Sequence, residues 1–373
     1  MIELPPSKRE RFTEHVLVRY VPVTLALRGC VVARERLPMV GVALGLALVM
    51  AVGGGWYQWS DTGKRWRFDD KLATYCDGLI PQAESRPFTG RRTDSGELWE
   101  DTNGSEQNRH CTVGEMSLLV GLVPATGVGS REGGPNTVAQ LNASVPTYPP
   151  APLGGGWRGF TDTVKSAVVL PCTNRNASVL VTADDADGDY GDARRARQAA
   201  ELVAAVAVKA ARHWSCSAVG GGRIPLLSAP GLEAATGSAS GTCRGVPLRT
   251  YNIVSFTETQ ASGASPVEYC LLGEDAMLES AYGPYAQRLR RGPDEPAIYP
   301  GTAGMNNVAV WASAKCREYG SGALFILRRV PLEEPDPGYQ MPPDERTQKL
   351  ALLKGFAERS AKQHGCTGLQ LPH

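Results

Sequence analysis

Cys111-Thr112-Val113-Gly114-Glu115 returns further along the chain as Cys270-Leu271-Leu272-Gly273-Glu274, and reading these two stretches together decides the fold. Working outward, the likeness continues in the same order. Cys76-Asp77-Gly78-Leu79 matches Cys243-Arg244-Gly245-Val246, with Pro81 and Pro247 close behind. Small apolar residues then lead into Cys172 and Cys316, and an apolar run follows each, at 179–183 and 323–327. Each half closes on a helical pattern, a His and a Cys: His213 with Cys216, and His364 with Cys366. Short matches are weak singly, but a shared order of them marks an internal repeat.

The elements inside each half follow from spacing. The runs after Cys172 and Cys316 are short and β-rich, so they read as strands. Leu202, Val203, Val206, Ala210 and Trp214 form one stripe at helical spacing, as do Leu350, Leu353, Phe356, Ala357 and Ala361. The expected fold class is α+β, with two similar disulfide-bridged domains, 58–216 and 243–373, each ending in a long helix packed on a sheet. Residues 217–242 carry Gly220-Gly221-Gly222 and Gly237-Ser238-Ala239-Ser240-Gly241, a composition that suits an interdomain linker.

Ahead of these domains, residues 37–60 contain no charge. As a helix this run reaches about 36 Å, enough for a hydrocarbon core of about 30 Å. Trp56, Tyr57 and Trp59 stand where an interfacial aromatic belt belongs. Residues 37–57 are therefore expected to form a transmembrane helix, preceded by a cytoplasmic lead, 1–36, rich in Lys and Arg. The domains then lie outside the cytoplasm. Val49 and Ala51 also fit a signal-peptidase site, which would instead release a secreted protein cut near Ala51.

Of nine cysteines, eight follow that run: Cys76, Cys111, Cys172, Cys216, Cys243, Cys270, Cys316 and Cys366. An even set on one side of a membrane segment reads as a disulfide framework, and no Cys-x-x-Cys pair suggests zinc. Bridges kept within each half, and shared by both halves, leave three pairings out of 105. First-to-second and third-to-fourth is expected, because it pins the end of each long helix back beside the strand before it. That joins Cys76 to Cys111, Cys172 to Cys216, Cys243 to Cys270, and Cys316 to Cys366.

Catalytic signatures are missing: there is no HExxH, Walker loop or GxSxG. Gly154-Gly155-Gly156-Trp157-Arg158-Gly159 matches GxGxxG, but prolines occupy its lead-in where a buried strand is needed, so it reads as a flexible loop. The acidic run 184–189 departs from the EF-hand spacing. No cofactor, metal or catalytic residue is assigned. Glu115, Glu274, His213 and His364 recur at matching places and are the candidates for a ligand site. The His pair is expected to cap helix carbonyls. A net charge of +1 gives no reason to expect nucleic acid as a partner.

A basic lead, one anchor, a Cys-paired ectodomain and the ending His364-Gly365-Cys366-Thr367-Gly368-Leu369 resemble the layout of single-pass actinobacterial envelope proteins. That resemblance implies a cell-surface location and brings no activity with it. The expected function is a membrane-anchored binding or scaffold protein of the cell envelope. Its partners would be lipid around the helix and an envelope protein, wall polymer or small ligand. The alternative is an extracytoplasmic, hydrolase-like enzyme with its site between the two domains.

Overall fold

The computed structural model describes residues 37–89, 98–101, 108–124, 148–162, 164–185, 192–227, 231, 233–235, 237, 239–274, 276–290, 299–319, 322–329 and 341–373. The basic lead with Cys30 and the acidic run from residue 186 lie outside the described residues. Two compact units result, Met1–Tyr57 and Gln58–His373.

The first helix, α1, spans Leu37–Trp59. Leu46, Leu48, Val49, Met50 and Val52 on it are between 59% and 71% exposed, the reverse of what water tolerates on one surface. Among the described residues no helix is long and apolar enough to cross a membrane. The described side chains of α1 begin at Gly45, which leaves out the first part of the expected span, 37–57.

The second unit is α+β, built on two antiparallel sheets. Helices α2 (Asp61–Thr74) and α3 (Gln82–Thr89) precede the first sheet. Its strands are β1 (Leu98–Asp101), β2 (Asn108–Val113), β3 (Met116–Pro124), β4 (Ala151–Pro152), β5 (Gly159–Thr161), β6 (Lys165–Pro171) and β7 (Ala177–Asp185). They lie in the order β1-β2-β3-β7-β6-β5-β4, and α4 (Ala193–His213) follows. The second sheet holds β8 (Glu233–Ala235), β9 (Ser255–Glu258), β10 (Val267–Leu272), β11 (Ala276–Tyr282), β12 (Gly304–Met305), β13 (Ala309–Lys315) and β14 (Gly322–Arg329). It runs β8-β9-β10-β11-β14-β13-β12, with α5 (Pro284–Arg290) between β11 and β12. Then come α6 (Pro343–Gln363) and β15 (Thr367–Gln370), which pairs with β13.

Six strands of each sheet share one path, β1-β2-β3-β7-β6-β5 against β9-β10-β11-β14-β13-β12. The registers agree as well. Cys111 faces Leu118, Leu118 faces Ala183, and Ala183 faces Ser166, six positions before Cys172. Cys270 faces Leu278, Leu278 faces Leu327, and Leu327 faces Val310, six positions before Cys316. A one-residue slip would turn every side chain to the other face, so this agreement aligns the halves residue by residue.

The four bridges are Cys76–Cys111, Cys172–Cys216, Cys243–Cys270 and Cys316–Cys366, the sequential pairing in each half. Each late bridge holds a helix end. The Cys216 N–H bonds Ala211 O at 2.8 Å, and the Cys366 N–H bonds Ala361 O at 2.9 Å. The preceding residues, Ser215 and Gly365, have φ of 52° and 61°. Both helices therefore end in Schellman turns.

Each sheet is apolar on both faces, which fixes the layering. One face of the first sheet (Val113, Leu118, Val120, Val181) packs with Leu202, Val203 and Val206 of α4. One face of the second (Cys270, Leu278, Phe325) packs with Leu353, Phe356 and Ala357 of α6. The opposite faces meet each other in a third cluster, where Phe160, Val169 and Leu180 join Trp311, Leu324 and Ile326. The layers run helix, sheet, sheet, helix, and the halves form one unit rather than two tethered domains.

The described residues of the expected linker, 217–242, are packed against the two sheets rather than free of them. Ile224 and Leu227 enter the first core. Gly222 accepts from Trp157 Nε1 at 2.6 Å and donates to Gly155 O at 2.7 Å, and Glu233–Ala235 pairs with β9 as β8. The Gly154-Gly155-Gly156 stretch, read from sequence as a flexible loop, is held by the same contacts. Added at Gly155, a Cβ would stand 2.5 Å from Arg223 O, so glycine is there for close approach.

Candidate functional site

Once the halves are aligned, their differences become informative. The Schellman turns match Cys216 with Cys366, so Trp214 corresponds to His364 and Gln363 to His213. The two His therefore do not occupy the matching places that the sequence had suggested: His213 stands three residues before its Cys and His364 two. By the same alignment Val120, Leu122, Lys209 and Ala210 of the first half correspond to Ser280, Tyr282, Arg359 and Ser360 of the second. Arg109 corresponds to Glu268.

Where the first half has an apolar interior, the second thus buries a polar network. Glu268, Ser280, Tyr282, Ser360 and His364 are all buried, none more than 3% exposed. Ser360 donates to Glu268 Oε2 at 2.6 Å and lies 2.5 Å from the Tyr282 hydroxyl and 3.2 Å from Ser280 Oγ. With its one proton spent on the carboxylate, Ser360 accepts from Tyr282. Arg359 Nη1 pairs with Glu268 Oε2 at 2.8 Å, and Nη2 donates to Thr242 O at 2.6 Å. The guanidinium also stands 5.0 Å above the Phe356 ring. A buried carboxylate is tolerable only when paired and hydrogen-bonded in this way.

The His364 ring stacks on Tyr282, with centroids 3.8 Å apart. Its Nδ1 lies 2.9 Å from Ser360 O, and its Nε2 lies 2.9 Å from Ser265 O. The first contact is the helix-capping role expected of it; the second crosses to the turn before β10. Because both ring nitrogens are committed to carbonyls, neither meets the Ser360 hydroxyl. Ser, His and Glu stand together here without the geometry of a Ser-His-acid relay.

Outside this network, at the C-terminal end of α6, opens a cleft of about 520 Å³. Gly156, Arg158 and Gly220 of the first half line it together with Gly263, Lys362 and His364 of the second. Arg158 Nη2 reaches Glu318 Oε2 across it at 3.1 Å.

The remaining candidates fall elsewhere. Glu115 pairs with Arg195 at the start of α4, and Arg195 also stands over the Phe88 ring and donates to Pro87 O. That carboxylate ties a hairpin turn to a helix. Glu274 sits exposed in the equivalent turn, and His213 is exposed at the end of α4. These three and His364 do not converge.

A second polar group lies on the sheet face away from α4. His110 Nε2 bonds Ser117 Oγ at 2.9 Å. Asp184 stands directly opposite Ser117 on β7 and pairs with Lys165 at 3.5 Å. Burial pushes the Asp184 carboxyl above its ordinary value, with Lys165 and His110 pulling it partly back. Among the described residues no group of His, Cys, Asp and Glu is arranged to hold a metal ion. Sequence reading missed Glu268, Tyr282 and Ser360, although the repeat alignment, extended strand by strand, sets each against a residue of different chemistry.

No family model matches the chain, and neither a curated protein nor a solved structure matches it.

Proposed function

We propose that the chain is a membrane-anchored, extracytoplasmic binding protein of the cell envelope, and that its ligand or partner occupies the cleft between the two halves. The carrying observation is that both halves build this cleft, and that only the second has exchanged apolar core for a polar network behind it. Buried polar groups cost stability unless fully satisfied, so a diverged copy that keeps them points to a use. The four disulfides support an oxidising compartment. The exposed apolar side of α1 supports an anchor, and the shared strand path supports descent of the halves from one duplicated unit.

Two experiments test this. Alkaline extraction should leave the protein with the membrane, while an impermeant maleimide after reduction should reach the ectodomain cysteines in spheroplasts. For the cleft, a photo-crosslinking residue at Gln363 should capture an adduct in living cells that the same residue at Lys354, on the exposed side of α6, does not. Equal capture at both positions, or none at Gln363, rules out the cleft.

One observation favours a hydrolase as the second reading: the His110–Ser117 hydrogen bond with Asp184 opposite. A fluorophosphonate probe labelling the protein but not Ser117→Ala would establish it.

A further inference from the structure

The contacts of His364 set a condition on its proton count. A neutral imidazole has one N–H and one lone pair, so it can donate to one carbonyl only. Here both nitrogens lie 2.9 Å from carbonyl oxygens, Ser360 O on α6 and Ser265 O on the turn before β10. The doubly protonated ring satisfies both. The neutral ring sets a lone pair against the lone pairs of one carbonyl.

Those two carbonyls belong to the two pieces that form one wall of the cleft. The turn is seated directly on the end of α6: a Cβ added at Gly263 would stand 2.5 Å from Gln363 O. Its other bonds are mostly internal. Ala264 N–H reaches Ser262 Oγ at 3.3 Å, Ser265 N–H reaches Ser262 O at 3.1 Å, Ser265 Oγ donates to Val267 O at 2.6 Å, and Ser262 N–H reaches Glu268 Oε1 at 3.3 Å. The first half carries Trp214 at the equivalent position, a ring whose single N–H cannot change with pH.

We propose that His364 is a proton-operated clasp: its imidazolium ties the turn 262–265 to the last turn of α6, and loss of one ring proton frees that turn and loosens the cleft wall. This rests on the cleft reading for its biological use, but not for its test. The charged and titratable groups around the ring are Arg359 and Lys362 on α6, Glu268 on β10, Tyr282 on β11, and Arg158 and Glu318 at the cleft. Arg359 is committed to Glu268, and Arg158 to Glu318. Tyr282 supplies the ring face beneath the imidazole and directs its hydroxyl to Ser360. A clasp of this kind would answer to acidity at the cell surface.

Full-length protein in detergent, labelled with 15N only at histidine, gives five pairs of ring-nitrogen signals, and His364→Gln assigns the pair in question. The expected spectrum at low pH has both His364 nitrogens protonated, with one proton lost as pH rises. Amide exchange at 262–265, corrected for its intrinsic pH dependence, should then accelerate at least tenfold in step with that loss. His364→Trp, which copies the first half, should abolish the step. A ring that stays in one state over the whole range overturns the proposal, as does a turn whose protection ignores the ring. The pH dependence of amide exchange at 262–265 in the wild type decides this even if both variants fail to fold: protection that shows no step overturns the proposal. Failure here leaves the crosslinking result at Gln363 untouched.

Discussion

Replacing Arg359 by Met would test whether the second half holds an ion pair in its interior. Glu268 is 1% exposed and the Arg359 side chain 8%, with nitrogen and oxygen 2.8 Å apart. Met keeps much of the apolar stem and removes the charge, so Glu268 would keep Ser360 at 2.6 Å and the longer contacts from Ser262 N–H and Ser280 Oγ, none of them a cation. Breaking a buried pair from one side costs about 3–5 kcal/mol, because the survivor is a buried, uncompensated charge. Losing the bond to Thr242 O adds roughly 1 kcal/mol. Urea unfolding of the full chain in detergent, disulfides intact, measures the sum. Glu268→Gln/Arg359→Met should recover about 2–3 kcal/mol of that loss, since the amide carries no charge to strand. Lys354→Met breaks the i,i+4 pair with Glu358, whose side chains are 59% and 55% exposed, and should change stability little. A cost below about 1 kcal/mol for Arg359→Met, or strict additivity in the double variant, would refute the picture of a desolvated pair.

The matched turns provide an internally controlled comparison. Gly114 and Gly273 have φ of 59° and 61°, yet a Cβ meets Phe88 O at 2.1 Å in the first and nothing within 4 Å in the second. Gly273→Ala should therefore cost only the left-handed backbone penalty of about 1–2 kcal/mol, and Gly114→Ala clearly more in the same melt. Removing Cys172–Cys216 by a double Ser substitution opens a loop with sequence separation 44 and should cost about 4 kcal/mol by the chain-entropy model, read from urea midpoints. Asp184 binds its proton more tightly when folded than its ordinary 3.8, through burial. Its contribution is thus fully present below the unfolded value and is lost as pH rises through the folded one. Relative to wild type, Asp184→Asn should gain stability as pH rises above the ordinary 3.8, whatever constant offset Lys165 adds; a flat difference would contradict the burial.

How much of this was legible in the sequence depended on which signals are local. The Cys-x-x-Gly-Glu turns, the two long helices and the bridge pairing all follow from spacing within about fifty residues. What escaped is what needs two distant surfaces at once. Residues 217–242 have a linker's composition, and only the presence of the Trp157 ring beside Gly221 shows why small residues are required there. The helical stripes predicted a helix on one face of each sheet, but β6 and β7 are buried on both faces, and a run of small apolar residues does not announce what covers its second side. The His213–His364 equivalence failed because the two His stand at different distances from the Cys that closes each helix turn, three residues and two, so one ends its helix and the other caps it.

That second face also explains why the halves behave as one unit. A single helix-on-sheet layer would leave Phe160, Val169 and Leu180, or Trp311, Leu324 and Ile326, open to water, an apolar patch that a soluble surface rarely carries. Two copies placed face to face bury both patches at once, and each then keeps its own helix core on the outside. Such an arrangement relieves the copies of identical duties. The first can remain an apolar support, with Val120, Leu122 and Ala210 filling its interior. The second can accept Ser280, Tyr282 and Ser360 at the same positions, because its stability is backed by a shared core and two bridges of its own. The polar network of the second half then lies directly behind a cleft that both copies build.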